Sequence, residues 1–141
     1  MYLLDTNIIS EFQKSQPNEG VLHWVAEHDE SELYLSVITV MEIEIGVRRL
    51  ERRDAERASR LQHWLDGAVL EAFQGRILPI DLEVARRCVF NHVPDPAPER
   101  DALIAATASA HGLVVVTRNE KDFRRLGVPV LNPFTETHAR R

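Results

Sequence analysis

The 141-residue chain has a single cysteine, Cys88, so no internal disulfide can form and a reducing compartment is the expected setting. No stretch approaches the roughly 20 consecutive apolar residues of a membrane span, so no membrane partner is expected. The opening, Met1-Tyr2-Leu3-Leu4-Asp5, has neither a basic region nor a long apolar run. No signal peptide is expected from it, and a cytoplasmic location is. Positive charge is in deficit too: the net charge is -5, so the chain does not advertise phosphate contacts through a basic surface. There is no G-x-x-x-x-G-K-[ST] phosphate loop, no G-x-G-x-x-G fingerprint and no H-E-x-x-H zinc motif. The six histidines, His23, His28, His63, His92, His111 and His138, read as scattered polar or core residues, and Cys88 as a packed thiol.

The length suits one domain over 1–141, with one core. Arg48, Arg49, Arg52, Arg53, Arg57 and Arg60 concentrate positive charge in one stretch. Two readings stand for them: the solvated face of a helical hairpin, or a surface that steers phosphates. Trp24 and Trp64 read as packing residues on helices, with a groove for a partner as the alternative.

Apolar runs and turn signals alternate. Tyr2 to Asp5 reads as a short buried strand with Asp5 its last residue, followed by helical pieces at Asn7 to Gln13 and Asn18 to Glu27. Leu33 to Ser36 is a second strand, and Ser36 can cap a helix from Val37 to about Arg49. A helix from Ala55 to Phe73, bent at Asp66-Gly67, ends at Gly75; Arg76 to Pro79 is a third strand. Asp81 can cap a helix from Leu82 to Val93. The run Pro94-Asp95-Pro96-Ala97-Pro98 must be loop, because proline disfavours helix in the residue before it. A helix from Glu99 to His111 stops at Gly112, suited to a left-handed cap. Leu113 to Thr117 is an unbroken apolar strand, as expected when both faces are covered. Val128 to Leu131 is the last. This alternation predicts an α/β fold with a mostly parallel central sheet flanked by helices.

Open parallel sheets bind ligands at the carboxyl ends of their strands. Asp5 closes the first strand, where an acid is otherwise a turn former or cap. Glu42 lies mid-helix, and its neighbours Ile38, Thr39, Ile45 and Gly46 offer no charge, whereas Glu44 has Arg48 four residues on. Asp101 begins an alanine-rich helix that runs antiparallel to the following strand, which puts its start at the same rim; the helix dipole favours an acid there in any case. Asp122 follows the fourth strand through the loop Arg118-Asn119-Glu120-Lys121. Each acid alone has an ordinary structural reading. Together they come from four segments and converge on one end of one sheet. Four carboxylates that close repel one another, and hard divalent cations relieve the repulsion.

These segments resemble the PIN-domain ribonucleases, especially the VapC and FitB toxins. LLDTNIISE at Leu3–Glu11, SVITVMEIEIGV at Ser36–Val47, RDALIAATA at Arg100–Ala108 and VVTRNEKDF at Val115–Phe123 look like the family's four acidic motifs in order, and LNPF at Leu131–Phe134 is similar to the FitB-type ending. The proline-rich lead-in Asn91–Glu99 departs from relatives that carry a longer, more polar one. The resemblance implies a PIN-like fold with helices on both faces of the sheet. It implies that Asp5, Glu42, Asp101 and Asp122 hold one or two Mg²⁺ or Mn²⁺ ions, with Thr6, Asn7, Thr117 and Asn119 orienting the carboxylates. It further implies RNA as substrate, a homodimer, and a cognate antitoxin that blocks the site.

Two other readings compete with this one. A catalytically silent PIN-like module binding an antitoxin would be expected to lose acids, and all four are present. Phosphatases of the haloacid-dehalogenase type need a second Asp two residues after the first, where this chain has Asn7.

Overall fold

The computed structural model describes residues 1–134; His138 lies outside them. Five strands form one sheet: β1 (Tyr2–Leu4), β2 (Leu33–Ser36), β3 (Ile77–Leu78), β4 (Val114–Val116) and β5 (Val130–Leu131), in the order β3-β2-β1-β4-β5. Every neighbouring pair is parallel. The chain leaves β1 toward β2 and β3 on one side, and later fills the other side with β4 and β5. The reversal falls between β1 and β4, which makes their carboxyl ends the topological switch point.

The sheet is covered on both faces because successive strand residues point to opposite sides. Leu3 and Val115 face one layer, where they pack with Ile104, Ala105, Ala108 and Phe123. Leu4 and Val116 face the other, with Ile8, Val21, Leu65 and Val69. The first layer is built by α7 (Glu99–His111) and α8 (Glu120–Arg125); the second by α1 (Thr6–Ile9), α2 (Glu19–Ala26) and α4 (Ala55–Trp64) with the turns that follow it. Each fully buried Leu, Ile or Val adds about 1.5–3 kcal/mol relative to its exposed state, so these two layers hold the sheet. Among the described residues no helix is long and apolar enough to cross a membrane.

Capping residues set the boundaries. Ser36 Oγ accepts the Ile38 N–H and starts α3 (Val37–Glu51). Asp81 accepts the Val84 N–H and starts α6 (Leu82–Cys88), and Gly112 closes α7 with φ +66°. The bend expected at Asp66-Gly67 is a π-helical stretch over Leu65–Val69, carried on by α5 (Leu70–Ala72).

Strands β3, β4 and β5 are each shorter than the sequence expectation, and three further boundaries differ for local reasons. β1 ends at Leu4, one residue early, because Asp5 turns its carboxylate onto the Thr6 N–H and caps α1. The helix from Leu82 stops at Cys88 and tightens to a 3₁₀ turn over Val89–Asn91, well short of Val93. Glu120 onward is helix, not loop: α8 forms because Phe123 is fully buried against the sheet layer.

Candidate active site

Asp5 sits immediately after β1 and is only 4% exposed. Its Oδ1 accepts the Thr6 N–H at 2.8 Å, and its Oδ2 accepts the Thr117 hydroxyl at 2.8 Å and the Asn7 amide at 3.3 Å. Thr117, one residue beyond β4, is fully buried and reaches across the switch point. Its single hydroxyl hydrogen goes to Asp5, while its oxygen accepts the Asn119 N–H at 2.9 Å and the Asn7 amide at 3.4 Å. Asn7 in turn accepts the Arg118 N–H at 3.2 Å. The β4–α8 turn and the start of α1 are thereby locked together around one carboxylate.

Thr6 serves a second acid. Its hydroxyl donates to Glu42 Oε1, and its oxygen lies 3.2 Å from the Thr39 hydroxyl. Glu42 and Thr39 sit three residues apart on α3, so one turn of that helix meets the start of α1.

Glu42 is not without a charged neighbour, as its own helix had implied. Arg100, from the first turn of α7, places Nη1 3.7 Å from Glu42 Oε2. The pair joins helices 58 positions apart, so no helical spacing could reveal it. Glu44, by contrast, pairs with Arg48 at 3.9 Å as expected, and Arg48 also reaches Glu51 at 2.8 Å.

Asp101 is half-buried in the first turn of α7, because Ala102, Ala105, Ala106 and Ala108 let the helix lie close to its neighbours. Asp122 is exposed in the first turn of α8, and both carboxylates line the hollow that runs to Pro94 and Pro98. Asn119 precedes α8; it meets Thr117 through its backbone N–H, and among the described residues its side chain caps nothing.

Asp5 and Asp101 feel the other acids. Burial pushes the Asp5 carboxyl up to about 6, against the hydrogen bonds from Thr117 and Thr6; repulsion from Asp101 and Glu42 adds to the rise. Burial also raises Asp101, followed by the negative charges of Asp122 and Glu42. The four acids therefore share one electrostatic neighbourhood. Their donor set is all oxygen, and the only ion-pairing cation on it among the described residues is Arg100. Such a set fits a hard divalent cation better than a soft one.

Elsewhere, sequence reasoning passed over Glu11, which is 4% exposed and accepts from Lys14 and, at 2.8 Å, from the Asn18 N–H. Burial acts to raise its carboxyl, but these partners outweigh it and hold it below the ordinary range. Trp24 is half-buried, edge-on to Tyr2 at 5.0 Å and stacked on His28 at 4.0 Å; Trp64 packs on the Leu4 layer. Both are packing residues. Arg49, Arg52, Arg53, Arg57 and Arg60 are exposed on α3, α4 and their connection, with no ion pair among the described residues.

A parallel α/β sheet with acids gathered at its switch point is the architecture of a PIN domain: the model of that family matches residues 2–129, and the chain belongs to it. It is 40% identical over 140 residues to Toxin FitB of Neisseria gonorrhoeae, spanning 95% of this chain and 99% of that protein. It is 37% identical over 139 residues to VapC ribonuclease Y4jK of Sinorhizobium fredii, spanning 95% and 98%. The crystal structure of FitAcB from Neisseria gonorrhoeae matches it with a TM-score of 0.86 at 38% identity, covering 94% of this chain and 98% of that one.

Proposed function

We propose that this PIN domain is a metal-dependent endoribonuclease, the toxin of a toxin–antitoxin pair, acting in the cytoplasm. The observation that carries the reading is the convergence of Glu42 from α3 and Asp101 from α7 on the buried Asp5 at the end of β1, with Asp122 of α8 beside Asp101. Similarity along nearly the whole chain to a VapC ribonuclease and to Toxin FitB supports RNA as substrate and a cognate antitoxin as partner. Assembly as a homodimer belongs to the same proposal.

In this reading Asp5, Glu42, Asp101 and Asp122 hold one or two ions, Mg²⁺ or Mn²⁺ by donor type. The bound cation supplies charge against the phosphodiester and makes water acidic enough to attack near neutral pH. The protein's part is positional. Thr117 and the Thr6 N–H fix the two oxygens of Asp5; the Thr6 hydroxyl fixes one oxygen of Glu42; Asn7 ties Asp5 to the β4–α8 turn. Asn119 acts through its N–H on Thr117. None of the acids needs to become a covalent nucleophile.

Cleavage of a labelled RNA in Mn²⁺, by wild type and Asp5→Asn, tests the proposal. Activity that disappears with chelator and in the variant, with the fold retained, supports it; equal cleavage by the variant refutes it.

A further inference from the structure

A second cluster of ligand-type side chains, sharing no residue with the four acids, lies where α6 ends and α7 begins. α6 ends at Cys88; the chain turns through Val89–Asn91 and the prolines and re-enters helix at Glu99. Packing of Cys88 and Val84 against Ala102 and Ala106 brings the end of α6 under the start of α7. One ligand atom from each of Cys88, His92 and Glu99 lies within 4.8 Å of the other two. Cys88 is buried, His92 half-buried and Glu99 exposed, so the cluster has a protein side and an open side.

A second observation is independent of that spacing. His92 is held by its Nδ1, which accepts the Ala97 N–H at 3.1 Å. Its Nε2 is buried with no hydrogen-bond partner, and Glu99 Oε1 stands 3.7 Å away, beyond hydrogen-bond reach. With Nδ1 accepting, the neutral ring carries its hydrogen on Nε2, so the unsatisfied group is a buried N–H without an acceptor; a metal bond to that nitrogen would remove the cost once the hydrogen has moved.

We propose that Cys88, His92 and Glu99 form a binding site for a thiophilic divalent cation of the Zn²⁺ type, separate from the acid site. Sulfur, imidazole nitrogen and carboxylate oxygen together suit Zn²⁺, whereas Mg²⁺ and Mn²⁺ prefer oxygen alone. Zinc–ligand bonds of about 2.0–2.3 Å set donors about 3.3–3.8 Å apart, so the cluster must close slightly, and the exposed Glu99 side chain is free to do so. Thiolate and carboxylate neutralise the ion, and solvent completes the fourth position.

With Nδ1 accepting from Ala97, the neutral ring carries its hydrogen on Nε2. Binding sends the Cys88 thiol proton to solvent and moves the imidazole hydrogen to Nδ1, where it would meet the Ala97 N–H donor to donor, so the His92 ring must turn away from Ala97 and that bond is lost. One backbone hydrogen bond is exchanged for metal bonds to sulfur and nitrogen. Without the ion the thiol stays protonated, since burial and the Glu99 charge both push it up. The bound ion would tie α6 to α7 two residues before Asp101 and so brace that carboxylate.

The test is Co²⁺ titration of the full chain, with Mg²⁺ in large excess to occupy the acids. One equivalent should give thiolate-to-cobalt charge-transfer absorption in the near ultraviolet, reversed by one equivalent of Zn²⁺. Cys88→Ser should abolish the band. His92→Ala and Glu99→Gln, at positions outside the core, should each weaken binding about tenfold or more, and they decide the matter if the serine variant does not fold. Asp5→Asn should retain the band, which separates this site from the ribonuclease reading. Absence of the band in wild type, or a band unchanged in both His92→Ala and Glu99→Gln, would overturn the proposal.

Discussion

Arg100 and Glu42 form an ion pair at 3.7 Å across α7 and α3, and Glu42 is one of the four acids gathered at the switch point. A guanidinium on a carboxylate of the proposed metal site would compete with the metal. Arg100 is 44% exposed, so solvent screens the pair and its worth is about 1 kcal/mol at most. Arg100→Ala is expected to tighten Mn²⁺ binding about fivefold with little change in stability. Calorimetry reads both, and weaker Mn²⁺ binding would instead make Arg100 a support for Glu42.

Thr117 gives a prediction of opposite sign. Its hydroxyl is the buried donor on Asp5 Oδ2. Thr117→Val keeps the shape and removes the donor, so Mn²⁺ affinity should fall about tenfold and metal-free stability by about 1–3 kcal/mol. Thr117→Ser should restore most of both. A valine variant that binds Mn²⁺ like wild type would leave Asp5 oriented by Thr6 and Asn7 alone.

The metal-free protein should lose stability as pH rises through the Asp5 transition. Burial pushes its carboxyl up to about 6 in the folded chain, above the ordinary aspartate range, so the folded state binds the proton more tightly. That contribution is complete below about pH 4 and gone above about pH 6, worth about 3 kcal/mol at most. Urea melts in chelator at pH 5 and pH 7.5 should show wild type more stable at the lower pH. Asp5→Asn should flatten the difference, and divalent cation should reverse it.

Close packing of α7 predicts the cost of bulk. Ala105 is fully buried in the layer with Leu3 and Ile104. Ala105→Leu should cost about 1–3 kcal/mol by overpacking and shift Asp101 with the helix, weakening Mn²⁺ binding as well. Thermal melts and the Mn²⁺ isotherm together check it; an unchanged isotherm would separate the packing from the site.

The parts of this fold that are legible in the sequence are those written by local chemistry. Ser36, Asp81 and Gly112 announce helix ends through their own side chains or backbone, and the unbroken Val114–Val116 announces a covered strand. The acids could be placed because strand ends share one rim in a parallel sheet. What stayed hidden depends on tertiary contact. α8 is six residues long, too short to form on propensity, and exists because Phe123 is buried. Arg100 meets Glu42, and His92 meets Cys88 and Glu99, only after α7 has docked on its neighbours.

Mn²⁺ titration of wild type beside Asp5→Asn, Glu42→Gln and Asp101→Asn, all checked for folding, tests most directly whether these carboxylates make one metal centre. The account predicts saturable uptake by wild type and a loss of affinity of about tenfold or more in every variant. Uptake by Asp5→Asn and Asp101→Asn equal to that of wild type would contradict it.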